Sequence, residues 1–223
     1  RWGKGGVQTG KKLFFRILKS SLPLKVKLEA YVHLFNNVAY IGTVIMVLLI
    51  MPYLVVRSNI TFSHLGILEV ILFFFTTVPF LVFYTYAQKE TVGKYSFSHI
   101  KYLFPLTAIG IGMSANNSLA AIEALIGKKS GFTRTAKYGV ANRKDDWKNK
   151  KYRMSKISRS TWLEIVLIVY LTMMLVWALY HRIWGIVPLI LLFLTGYVYM
   201  VSQSFVHIWE LKNLLFRNKQ PEY

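Results

Sequence analysis

The residues best equipped for chemistry are few and unevenly spread. Ser130-Gly-Phe-Thr-Arg-Thr-Ala-Lys-Tyr138 packs two aromatic rings, hydroxyls and two cations into nine positions. It lies between an apolar stretch without lysine or arginine, Tyr102 to Ile126, and the most basic segment of the chain. Such a motif at such a junction predicts a loop held at a membrane surface. Glu69 and Glu164 stand alone inside long apolar runs. An ionisable group in hydrocarbon is costly and is a functional candidate by default, with positioning near an interface as the alternative. The five histidines are dispersed without ligand spacing, so no metal site is expected. The absence of cysteine excludes disulfides, thiolate ligands and cysteine nucleophiles. Asp145 and Asp146 sit among Lys144, Lys148, Lys150 and Lys151 and read as local charge balance. Gly3, Gly5 and Gly6 lack the strand and helix context of a dinucleotide fingerprint.

The elements that must position these residues follow from composition. The chain has 223 residues, 54% hydrophobic, with net charge +19. Such a charge usually suggests nucleic-acid binding. Here Lys and Arg are nearly absent from the long apolar runs and crowd between them, which is the membrane-protein pattern. A bilayer core about 30 Å thick needs about 20 apolar residues as helix. Val38 to Val56, Leu65 to Ala87, Leu163 to Tyr180 and Ile183 to Val206 meet this. The predicted fold is therefore an all-α polytopic membrane protein with four transmembrane helices and amphipathic interfacial helices.

Tyr102 to Ile126 differs in kind. Its first part holds Pro105, Gly110 and Gly112, and Ser114 to Ser118 then offers a new helix start before Leu119, Ile122 and Ile126. This predicts a re-entrant or interfacial element. If it does not cross, 26 basic residues lie on one side and 2, Arg57 and Arg182, on the other. By the positive-inside rule the larger group is cytoplasmic, and with it both termini. The amino-terminal segment predicts two more interfacial helices. Leu13, Phe14, Ile17 and Leu18 form one stripe, Ser20 to Pro23 a break, and Leu24, Leu28, Tyr31, Val32 and Phe35 a second stripe. The divisions are then 1–37, a hairpin over 38–87, a cytoplasmic loop and interfacial element over 88–126, a basic loop over 127–162, a hairpin over 163–206, and a tail over 207–223.

Two motifs can be read together within this layout. Arg1-Trp2, followed by Gly3-Lys4-Gly5-Gly6-Val7-Gln8, resembles the end of the Gln-x-x-Arg-Trp motif of processive family 2 glycosyltransferases. These include cellulose synthase and the glucomannan mannosyltransferases. Gly131-Phe-Thr-Arg-Thr-Ala-Lys137 resembles the family's gating loop, Phe-x-Val-Thr-x-Lys, and is closer to the Phe-x-Arg-Thr-Pro-Lys form of the mannan-type relatives. Ala136 stands where those carry Pro. Asn116 to Lys128 resembles the stretch leading into that loop. The resemblance spans essentially the whole chain and only the carboxy-terminal half of the family's architecture.

The resemblance implies roles. Trp2 would stack on the terminal sugar of the acceptor, since an indole face suits the apolar C–H face of a pyranose. Arg1 would lie near the donor diphosphate. Phe132 would anchor the gating loop, and Thr135 and Lys137 would reach the diphosphate, with Arg134 an added cation. Glu69 could line a glycan channel and hydrogen-bond sugar hydroxyls. The donor would be a UDP- or GDP-hexose. No cofactor is expected in this chain. A divalent metal, Mg or Mn, would belong to a catalytic domain preceding Arg1, because the chain opens inside the motif and reads as part of a longer protein. The partners expected are the nucleotide-sugar, the growing glycan and membrane lipid, with no nucleic acid, in a plasma membrane or a Golgi-type membrane. The alternative is a non-enzymatic four-span transporter or assembly subunit whose basic loops bind anionic lipid.

Overall fold

In a computed structural model of the chain, residues 2–59, 64–93, 101–128 and 157–217 are described. Among them there is no strand, and nearly every residue is helical. Helix α1 is Trp2–Leu18. Pro23, with φ −56°, then sets the chain for α2, Leu24–Phe35. A 3-10 turn, Asn36–Val38, leads into α3, Ala39–Asn59. Helix α4 is His64–Val92, α5 Leu103–Gly112 and α6 Ser114–Ile126. Helix α7 is Arg159–Tyr180, and a 3-10 turn at Trp184–Ile186 precedes α8, Val187–Arg217.

Among the described residues, four helical runs are long and apolar enough to cross a membrane: Leu24–Asn59, Leu103–Ile126, Arg159–Tyr180 and Trp184–Val206. The expected spans at 38–56, 163–180 and 183–206 coincide with three of these, and the expected span at 65–87 falls inside α4. The helix surfaces suit a bilayer. Helix α7 buries Thr161, Glu164, Leu167, Leu171, Met174 and Ala178, a stripe at three- and four-residue spacing. Its opposite side leaves Val166, Met173 and Val176 each about 60% exposed. So wide an apolar face is unfavourable in water and matches lipid tails.

Local chemistry fixes where the helices start and bend. Ser158 is extended, and its hydroxyl accepts the Thr161 N–H at 3.1 Å, capping α7. Pro52 lies inside α3 and has no N–H for the Leu48 carbonyl. Tyr170 of α7 repairs this break. Its hydroxyl donates to the Leu48 carbonyl at 2.9 Å and accepts the Met51 N–H at 2.9 Å. In lipid, where no water can substitute, that repair is a strong reason for the two helices to meet here.

The 102–126 stretch, expected as a re-entrant or interfacial element, forms two helices, α5 and α6, and together they are long and apolar enough to cross a membrane. Pro105 falls in the first turn of α5, where no helical hydrogen bond is lost. The Met113 N–H bonds the Ile109 carbonyl and the Asn117 N–H bonds the Met113 carbonyl, so the ladder continues through the joint. Gly112 and Gly196 let α5 and α8 touch backbone to backbone. A Cβ on Gly112 would lie 2.4 Å from the Gly196 oxygen, and one on Gly196 would lie 2.3 Å from the Ala108 oxygen. Small residues at such crossings replace side-chain bulk with close backbone packing. Beyond the joint, Ala115 enters the cluster with Val47, Leu167 and Leu171, and Ala121 and Ala124 pack near Val38 and Ile41. Helix α6 therefore lies antiparallel along the first half of α3.

Candidate functional site

Three glycines seat α1, which carries Trp2. Gly3, Gly6 and Gly10 line one face and lie flush on the end of α2 and the turn after it. A Cβ would come within 2.7 Å of Asn37 Oδ1 at Gly3, 3.4 Å of the Leu34 oxygen at Gly6, and 2.9 Å of Phe35 Cζ at Gly10. Val7, fully buried, packs with Ala121 and Ala124 of α6. Further along, Phe14 meets Tyr31 with ring centroids 5.1 Å apart, and the Tyr31 hydroxyl donates to the Phe14 carbonyl at 2.8 Å. The two amino-terminal helices, expected as separate interfacial helices, thus pair with each other. Leu18, Leu24, Leu28 and Val32 are exposed among the described residues.

The other half of the site is the end of α6. Gly127 takes φ +84°, a backbone region costly for residues with a Cβ. There its N–H bonds the Ala124 carbonyl at 3.1 Å, while the Lys128 N–H bonds the Glu123 carbonyl at 2.9 Å. This pair of bonds closes the helix. Lys11 donates to the Leu125 carbonyl at 2.6 Å. Lys4 reaches Glu123 Oε2 at 2.8 Å, and Lys128 reaches Glu123 Oε1 at 3.0 Å. Three cations thus gather at a helix carboxyl end, where the backbone dipole favours positive charge.

This geometry brings Trp2 and the end of α6 to one place. Trp2 is 94% exposed at the first turn of α1, two residues from the clasped Lys4. Its helix is held along one face by Lys4, Val7 and Lys11. Arg1 and the loop residues Phe132, Arg134, Thr135 and Lys137 lie outside the described residues. Glu69 lies in α4, and its side chain is likewise outside them. No family model, curated protein or solved structure matches the chain.

Glu164 and several aromatic residues of the apolar runs are placed as follows. Glu164 is 3% exposed, and its Oε2 has no hydrogen-bond partner among the described residues. It therefore faces the bundle interior. Tyr197 and Phe193 are core residues, and Tyr197 shares a 2.9 Å hydrogen bond with Ser114. Trp177 packs on His181, with ring centroids 5.0 Å apart. The Gly3, Gly6 and Gly10 face and the Glu123 clasp went unseen in the sequence. The glycine spacing of three and four was the one signal that could have shown a close helix contact. The clasp joins residues 119 positions apart and has no local signature.

Proposed function

We propose that this chain is the carboxy-terminal membrane portion of a processive glycosyltransferase. The enzyme elongates a polysaccharide from a nucleotide-hexose on the cytoplasmic side and passes the product across the membrane. In this reading both termini are cytoplasmic, and a donor-binding domain precedes Arg1. That domain carries the divalent metal and the chemistry of the donor. This chain supplies the acceptor platform, the loop that covers the donor, and part of the exit path.

One observation carries the reading. The helix bearing Trp2 is fastened, through Lys4, to the end of the helix that leads into Phe132 to Lys137. Trp2 is therefore mounted on a helix clasped to the end of α6, and α6 is the helix that precedes the second motif in sequence. Trp2 offers an exposed aromatic face to a sugar ring. Arg134 and Lys137 offer charge to a diphosphate, for which charge-assisted hydrogen bonds are the natural contact.

The test is made on the intact protein in isolated membranes. Lys137→Ala should lower kcat/KM for the nucleotide-sugar by about tenfold or more, the loss expected when a charged contact to the diphosphate is removed. Unchanged kinetics would remove the loop from the donor site.

A further inference from the structure

We propose that Glu123 is a positioning residue for the acceptor. It sets the placement of Trp2 through Lys4, and it does so without touching sugar or donor. The proposal rests on the glycosyltransferase reading for its effect on activity. Its structural half stands on the clasp alone.

The first turn of α1 has little to hold it. Trp2 is exposed, and Gly5 has nothing within 4 Å of a Cβ position. The contacts described for this turn are the seat of Gly3 on Asn37 and the Lys4–Glu123 pair. The lysine is well placed for the task. Its side chain is only 12% exposed, against 52% for Lys128 on the same carboxylate. The inner cation is thus partly withdrawn from solvent, while the outer one completes the charge balance from the solvent side. Each carboxylate oxygen serves one lysine, so neither partner displaces the other.

The second grip makes this an alignment rather than a simple tether. Lys11, two turns beyond Lys4 on α1, binds the Leu125 carbonyl in the same final turn of α6. With Val7 buried between them against Ala121 and Ala124, α1 is held at three points along one face. Removing the Lys4 contact frees the end that carries Trp2 and leaves the Val7 and Lys11 contacts intact. Loss of Glu123 also leaves Lys4 and Lys128 facing each other as like charges, which pushes that end away. A stacking platform that shifts by about an ångström loses alignment with the reacting hydroxyl, and displacements of that size are costly in rate.

The chain contains no cysteine, so labelling the intact protein requires only that any cysteines outside the chain be replaced by serine. Labels at Gly5→Cys and Ile126→Cys in the intact protein, both at open positions, read the distance between the two helix ends. The expected result is one narrow distribution. Glu123→Ala should broaden or lengthen it. Lys4→Glu and Glu123→Lys should each do the same, and the two together should restore it.

Polymer synthesis is measured on the same variants. Glu123→Ala should lower kcat by about tenfold and leave KM for the nucleotide-sugar within about twofold, because the donor site is untouched. The charge-swapped double variant should recover kcat. If the intact wild type makes no polymer from any nucleotide-hexose, the glycosyltransferase reading fails and the catalytic role of Glu123 fails with it. If the wild type polymerises and Glu123→Ala changes neither distance nor kcat, the positioning role alone is overturned. A variant that loses kcat without rescue by the swap would also overturn it, since the effect would not run through the pair.

Discussion

Single residues explain why this chain tolerates features that should break it. Pro52 frees a carbonyl in the middle of an apolar helix, and the Tyr170 hydroxyl occupies the gap from a different helix. Tyr170→Phe keeps the ring and removes only that bridge. It should cost about 1–3 kcal/mol, the range for leaving buried backbone groups unpaired, seen as a lower Tm in detergent. In a Pro52→Ala background, where the helix recovers its own N–H, the same substitution should cost clearly less. Equal costs in both backgrounds would show that the tyrosine does something other than repair the proline. The link between Pro52 and Tyr170 is invisible in the sequence, because neither residue type specifies its partner. Glu164 is the opposite case. The sequence marks it as a lone acid in an apolar run, and the structure leaves one of its oxygens buried without a partner among the described residues.

At the scale of elements, the apolar runs were legible and the joints between them were not. Apolar stretches about twenty residues long, two of them with a single glutamate, predict α3, α4, α7 and α8, because lipid leaves the backbone no alternative to helix at that length. The amino-terminal stripes predict α1 and α2, with the break at Ser20 to Pro23 where the structure has it. The 102–126 stretch was harder. Its proline and glycines read as helix breakers, yet Pro105 sits where proline is harmless and Gly112 serves a helix crossing. Periodicity cannot distinguish a glycine that ends a helix from one that lets a neighbour approach. A pair of substitutions in α5 separates the two roles. Gly112→Ala would place a methyl 2.4 Å from backbone that cannot rotate away. It should destabilise by about 1–3 kcal/mol, as overpacking does. Gly110→Ala, with open space around it, should leave Tm unchanged or raise it. Comparable losses at both positions would mean that the backbone freedom of glycine, not the α5–α8 contact, sets the requirement.

For the molecule as a whole, one end of the bundle gathers what the functional reading needs. Trp2, the glycine-seated α1, the Glu123 clasp and the capped end of α6 meet there. Composition alone pointed to this end only in outline: basic segments on one side of a set of apolar helices. The motifs supplied candidates, and the long-range pairing of α1 with α6 gives Trp2 a fixed mount beside the root of the basic segment. The central claim is that Trp2 is the sugar platform of a polymerising enzyme. The most direct measurement is incorporation of labelled UDP- or GDP-hexose into polymer by membranes carrying the intact protein, wild type against Trp2→Ala. Trp2 is 94% exposed, so its loss leaves the bundle and its membrane insertion undisturbed. The account predicts that polymer falls on the order of 100-fold, as misplacing a reacting group does, with protein level and insertion unchanged. Full polymer synthesis by Trp2→Ala would contradict it.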